Sequence, residues 1–229
     1  MAWSRSAGSL KLSAMKEFLS VPIFGWSFQL MDFIAMARKW PADKVNLDKV
    51  LTRVLDDPSL WLVVFPEGTL VCDETSAKTH KFANLMNLPL PSHTLVPKTT
   101  GIHHTVEKLR PRLTHIYDLT IAYPSHQKQW AYDKYTIENC LFRRSGPSKV
   151  FIHIDRFDIA DIPAEQKEFD DWMRKRFMQK DELLRNFYLK GEFSNEKEGA
   201  VDKPEVLSFQ NNWKDWRSSV SVSIKNLFD

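Results

Sequence analysis

The feature that most limits what this chain can fold into is the apolar run Trp61-Leu-Val-Val-Phe65, which stops abruptly at Pro66-Glu-Gly68. A run this short and this uniformly apolar suits a strand buried on both faces, which needs helices on either side of a mostly parallel sheet. Proline cannot donate to a sheet ladder and glycine weakens a strand, so the strand ends where this pair begins. Glu67 and Thr69 then emerge at the carboxyl end of a strand, outside which ligands gather in open α/β sheets. The same residues are also ordinary turn chemistry, so the segment alone does not decide between structure and function.

The surrounding pattern alternates helices with strands. Asn46–Asp57 places Leu47, Val50, Leu51, Val54 and Leu55 along one helical stripe, and Asp56-Asp-Pro58 ends it. Asp73 is placed to cap a helix over about 74–87. A turn at Pro89-Leu-Pro91 leads into Leu95-Val-Pro-Lys-Thr-Thr-Gly101, and a short helix over 102–110 stops at Pro111. Strands are predicted over 116–123 and 149–157, joined by a long polar loop. Pro163–Tyr188 suits a long amphipathic helix with Asp161 as cap, Pro163 in the first turn, and Phe169, Trp172, Met173, Leu184, Phe187 and Tyr188 on its packed face. Beyond Gly191 the chain turns polar, and a poorly ordered tail is expected. Strands alternating with helices give an α/β sheet flanked by helices, with a helical extension towards the C-terminus.

Composition excludes several classes. Hydrophobic residues make up 43% of the 229 residues and charged ones 27%, which is globular rather than disordered. A net charge of +3 with scattered basic residues does not point to nucleic acid. It is compatible with weak attraction to an anionic membrane surface. The 8 Trp and 15 Phe fit a chain that works at an apolar–aqueous boundary, although most such rings serve packing. Cys72 and Cys140 lie far apart without CxxC spacing, so two reduced thiols are expected and a zinc site is not. Met1–Lys16 is polar and small, unlike a secretory signal, and Met1–Ala14 shows no recognisable pattern. Val21–Ala37 is nearly apolar but interrupted by Gln29 and Asp32, which suits a buried or interfacial segment better than a membrane span.

Three segments share one chemical design. In Phe65-Pro-Glu-Gly-Thr69, Gly68 admits a ligand close to the backbone, and Thr69 offers a hydroxyl and an amide to a phosphate. Val96-Pro-Lys-Thr-Thr-Gly101 repeats the arrangement, with Lys98 as a point charge for an anion. Upstream, the aromatic run Phe24–Met36 ends in Arg38-Lys39-Trp40. A single lysine is usually a solvated surface cation. Three such elements in order are harder to explain that way.

This ordered set resembles the 1-acylglycerol-3-phosphate acyltransferase family, within the larger lysophospholipid acyltransferase group, and in particular the branch of lysocardiolipin acyltransferases and their fungal relatives. The resemblance rests on Val21-Pro-Ile-Phe-Gly-Trp26, Phe33-Ile-Ala-Met-Ala-Arg-Lys-Trp40, the FPEGT segment, the VPKTTG block and Ile116-Tyr-Asp-Leu-Thr-Ile-Ala-Tyr-Pro124. It runs from about Lys16 to Phe193. It implies an acyltransferase core over 16–125, an associated region over 126–192 and a polar tail over 193–229. It also implies transfer of a fatty acyl group from acyl-coenzyme A, a substrate and not a cofactor, to a lysophospholipid such as lysophosphatidate. The expected setting is a cytosol-facing endoplasmic reticulum membrane surface. By the same resemblance Arg38, Glu67, Gly68 and Thr69 hold the acceptor's glycerophosphate, while Pro97 and Lys98 belong to a block that places donor or acceptor. Leu70 stands where many relatives carry Arg or Asn, and Lys98 replaces a frequent Arg, which alters phosphate grip because arginine binds an anion with two prongs.

Members of that family rely on an HxxxxD motif well upstream of FPEGT, with the histidine as general base and the aspartate orienting it. No histidine precedes His80 in this chain, so no catalytic residue is assigned. His153-Ile-Asp-Arg-Phe-Asp158 has the spacing, but it falls in a strand far beyond FPEGT and reads as structure. His103-His104 diverge on a helix and do not make a metal pair, and His115 with Asp118 reads as a strand-edge pair. No metal is expected. The expectation is therefore an acyltransferase sequence that starts late, without its catalytic motif, and is inactive as it stands. The alternatives are a short homologue that binds lysophospholipid or acyl-coenzyme A without turnover, and a remnant that cannot fold.

Overall fold

A computed structural model describes residues 10–15, 26, 33–36, 40–55, 60–123, 130–143, 145–147, 149–193 and 207–210. The first sheet consists of β1 (Leu10–Met15), β2 (Ile34–Met36) and β3 (Trp61–Val63), in the order β2-β1-β3. All its pairings are parallel, with Leu10 opposite Trp61 and Ser13 opposite Ile34. The central strand β1 lies in the stretch that shows no pattern in the sequence. Its mixture of Lys11 and Ser13 with Leu10 and Leu12 hides it from hydropathy.

The chain forms two compact units, one made of residues 1–116 and 156–179 and the other of 117–155 and 180–229. In the first, α1 (Trp40–Val54) buries the predicted stripe: Leu47, Val50 and Leu51 pack with Ile34 of β2 and Leu109 of α3 (Thr99–Leu109). The helix starts six residues earlier than Asn46, because Trp40 itself joins the packing at its first turn. Leu51 and Ile34 are fully buried. Burying one such aliphatic side chain is worth about 1.5–3 kcal/mol. Val106 of α3 packs with Ile162, Phe169, Met173 and Phe177, the last three from the first part of α6 (Gln166–Lys190).

The second unit holds most of a sheet ordered β4-β5-β6, where β4 is His115–Ala122, β5 Lys149–Asp158 and β6 Leu207–Gln210, the last antiparallel to β5. Its core gathers Ala122, Leu184, Phe187 and Phe193, with the Phe187 ring 4.8 Å from that of Phe193 and 5.1 Å from that of Phe151. The α6 stripe predicted from the sequence is thus real but serves both units, Phe169 and Met173 in one and Leu184 and Phe187 in the other. Gly191, with φ +83°, stops α6, and its N–H donates to Phe187 O at 2.7 Å.

Several sequence expectations are corrected. Cys72, not Asp73, is the N-cap of α2 (Asp73–Leu85), and the Thr75 hydroxyl accepts the Cys72 N–H at 2.9 Å. Asp161 closes a 3₁₀ turn over Ile159–Asp161, and α6 begins only at Gln166, so neither Asp161 nor Pro163 belongs to its first turn. Within the expected polar loop two short helices form, α4 (Ala131–Lys134) and α5 (Ile137–Leu141); the Thr136 hydroxyl caps α5 by accepting the Asn139 N–H. Of the expected tail, only Phe193 and β6 are among the described residues. Ile34–Met36, from the apolar run Val21–Ala37, is a strand. Among the described residues no helix is long and apolar enough to cross a membrane.

Candidate functional site

The FPEGT and VPKTTG segments, about thirty residues apart, are stitched together. After β3 the chain turns back on itself, with the Gly68 N–H donating to Phe65 O at 3.0 Å. The Lys98 N–H donates to Pro66 O at 2.8 Å, and the Leu95 N–H donates to a Glu67 carboxylate oxygen at 2.8 Å. These bonds tie the two loops at both main chain and side chain.

Gly68 sits at φ +67°, in the left-handed region that favours glycine. The Lys98 side chain lies over it: a Cβ added at Gly68 would stand 3.3 Å from both Cδ and Nζ of Lys98. Lys98 is also the N-cap of α3, and its side chain does not cap the helix. The first-turn amides of a helix lack intrahelical partners and carry the positive end of its dipole, so the cation beside the glycine turn stands at the positive end of α3. Thr69 is half-buried on the same turn, and Lys98 is exposed.

The remaining sequence-predicted positions fare differently. Pro97 is buried and lines an apolar recess of about 30 Å³ with Pro91, Leu95 and Phe177. That is one water's share of volume, far too small for a fatty acyl chain. Glu67 faces inward to Leu95, which is 2% exposed, so its carboxylate holds the loop. Arg38 lies outside the described residues. Its neighbour Trp40 packs against the VPKTTG block: the indole stands 3.4 Å from where a Cβ on Gly101 would be, and 5.5 Å edge-to-face from the His104 ring. That glycine is therefore small because an indole leans on it. The ordered aromatic–Gly pair was present in the sequence, but nothing in local spacing linked it.

Among the described residues, the histidine and aspartate of the HxxxxD spacing do not pair with each other. His153 is buried, 3.5 Å from Asp155 and against the Phe193 ring, whereas Asp158 pairs with His115 at 2.8 Å. The HxxxxD spacing is thus coincidental, as the strand position implies. The Asp118 carboxylate meets Lys180. His103 bonds to Ala164 O at 2.7 Å. His104 donates to Asp48 at 2.8 Å, a link between α3 and α1 invisible in the sequence because 56 residues separate the partners. The hydrogen bond from His104 holds the Asp48 carboxyl below its ordinary value, with Lys108 adding to the effect. Among the described residues no cluster could hold a metal ion.

Comparison with known proteins gives the family. Residues 1–124 match the family model described as Acyltransferase, and residues 140–212 match Acyltransferase C-terminus. A protein of Arabidopsis thaliana named as a probable 1-acyl-sn-glycerol-3-phosphate acyltransferase 5 is 34% identical over 82% of this chain and 48% of its own length. Lysocardiolipin acyltransferase 1 of Gallus gallus is 33% identical over 85% of this chain and 50% of its own. The 2-acyl-1-lysophosphatidylinositol acyltransferase of Saccharomyces cerevisiae is 30% identical over 86% and 59%. The chain thus spans about half the length of the curated relatives it matches. No solved structure matches it. With the two stitched loops and a family match over more than half its residues, the chain belongs to the acyltransferase family.

Proposed function

We propose that this chain is the acceptor-binding part of an acyltransferase of phospholipid synthesis or remodelling, one that moves a fatty acyl group from acyl-coenzyme A to the free hydroxyl of a lysophospholipid such as lysophosphatidate. The observation that carries the reading is the seat of Lys98 directly over Gly68 at the start of α3. A phosphate there would meet an ammonium, a side-chain-free turn and the first-turn amides of a helix together. Lys98, Gly68 and Thr69 are the residues assigned to the glycerophosphate. Glu67 and Pro97 shape the loops from behind, and Arg38 completes the grip by resemblance. The relatives named above share a lysophospholipid acceptor, which supports this substrate class. A cytosol-facing endoplasmic reticulum membrane is the setting the reading favours.

These residues supply binding and orientation; no histidine precedes His80 to serve as the upstream base. The 229-residue chain is therefore expected to bind without turnover. The test is calorimetric titration of the chain with lysophosphatidate below its critical micelle concentration, alongside a radiolabelled acyl-transfer assay. Saturable binding that weakens in Lys98→Ala, with no transfer, is the expected result. Absence of saturable binding overturns the site, and measurable transfer overturns the assignment of a non-catalytic role.

A further inference from the structure

We propose that one flank of α2, with the turn that follows it, is a docking face for an anionic lipid bilayer. Phe82, Leu85 and Met86 are 45%, 82% and 50% exposed, and Leu90 in the following turn is 49% exposed. Spacings of three and four residues put the first three side chains on one side of the helix. The face that packs inward is marked by Ala83, at 0%. Apolar groups so grouped, at the end of an otherwise polar helix, await an apolar medium.

Charge selects the occupant. No Asp or Glu occurs between Glu74 and Glu107, while Lys78, Lys81 and Lys98 fall in that stretch. Lys78 and Lys81 are exposed on α2 just ahead of the apolar side chains; Lys78 pairs with Glu74 one turn back, which leaves Lys81 as the cation nearest the apolar flank. An exposed apolar flank next to Lys81, in a stretch of chain without Asp or Glu after Glu74, matches the interface of a membrane carrying anionic headgroups. Preferring a bilayer over a protein partner rests partly on the lipid-substrate reading above; the apolar flank and its charge do not.

The face is fixed relative to the candidate site. The Thr75 hydroxyl donates to Leu70 O at 2.7 Å, joining α2 to the end of the FPEGT turn. A His80 ring nitrogen bonds Pro91 O at 2.7 Å, joining α2 to the segment that leads into Lys98. A bilayer held against Leu85 would therefore be held at a set distance from Gly68 and Lys98. Such docking would let an acceptor reach the loops without leaving the membrane surface.

The experiment is co-sedimentation of the full chain with phosphatidylcholine vesicles, with and without phosphatidylserine, and with no lysophospholipid present. The chain is expected to bind the phosphatidylserine vesicles. Leu85→Glu should reduce partitioning about tenfold, from lost apolar burial and added like charge. Lys81→Gln should reduce it about fivefold on phosphatidylserine vesicles only. Leu189→Glu, at a leucine 77% exposed on α6, should leave it unchanged, with circular dichroism confirming the fold of each variant. The proposal is overturned by an absence of wild-type binding, or by equal binding of Leu85→Glu. It is also overturned if Leu85→Glu splits an oligomer on size exclusion while vesicle binding persists, which would make the face a protein contact. Vesicle binding that survives in a chain unable to bind lysophosphatidate supports this face and counts only against the site reading.

Discussion

Glu67 reaches across 28 residues of sequence to accept the backbone N–H of Leu95 at 2.8 Å. The carboxylate that the family motif displays is thereby committed to joining two loops. Leu95 is buried, so removing the acceptor leaves an N–H with nothing to replace it, at a cost of roughly 1–3 kcal/mol. Glu67→Ala should therefore lower the thermal midpoint, and Glu67→Gln, which keeps a carbonyl acceptor, should restore most of it. Thermal melts followed by circular dichroism decide this. An unchanged midpoint in Glu67→Ala would show that the hydrogen bond does not hold the loop.

Gly68 carries two constraints at once. A side chain in the left-handed region costs roughly 1–2 kcal/mol, and its Cβ would press on the Lys98 side chain at 3.3 Å. Asparagine tolerates that backbone best and valine worst. Stability should therefore fall in the order Asn, Ala, Val, and lysophosphatidate binding should fall in all three because each displaces the ammonium. If Gly68→Val melted like wild type, the positive φ assigned to this turn would be wrong.

The parts legible in the sequence were those written in local periodicity. The α1 stripe of Leu47, Val50 and Leu51 and the packed face of α6 follow from spacings of three and four, and both are buried as expected. Strand β3 was readable from its apolar run, but the expected burial on both faces is corrected: it covers only Trp61–Val63 at the end of the order β2-β1-β3, with Trp61 41% and Phe65 62% exposed. By contrast β1 was hidden, since a short central strand with Lys11 and Ser13 in it looks like coil until its partners are known. Cap positions slipped by one residue or more because Cys72 and Asp73 both suit the start of a helix, and only the Thr75 bond to the Cys72 amide chooses between them. In the site, residue identities were legible from the motif, but their connections were not. The Glu67–Leu95, Lys98–Gly68 and Trp40–Gly101 contacts are tertiary, and no spacing rule encodes them.

The Asp48–His104 link gives stability a pH dependence. The hydrogen bond from His104 keeps the folded carboxyl easier to ionise than in the unfolded chain, and Lys108 at 3.4 Å reinforces it. A group whose folded value is depressed contributes in full above the unfolded carboxylate range and loses that contribution as pH falls through the folded value. Asp48→Asn should therefore melt below wild type at neutral pH, and the gap should close as the pH falls below the ordinary carboxylate range. Melting curves across an acid series read this directly. A gap that stays constant with pH would mean that the charge of Asp48 contributes nothing.

Lys98 decides whether the stitched loops hold a phosphate or only each other. Its backbone N–H already serves the loop by donating to Pro66 O, and that bond survives any change of side chain. Its ammonium has no such duty as helix cap, and so its contribution should appear in ligand affinity and not in the melt. Hydrogen bonds to a charged group are worth about 1.5–3 kcal/mol, so Lys98→Met should weaken lysophosphatidate binding roughly tenfold to a hundredfold. Lys98→Arg should match or exceed wild type, because a guanidinium grips phosphate in two-pronged fashion where lysine offers a point charge. The wild-type affinity should also fall with added salt more steeply than that of Lys98→Met. Equal affinity in Lys98→Met would show that the cation over Gly68 is a solvated surface charge, and the anion site would have to be sought elsewhere on the chain.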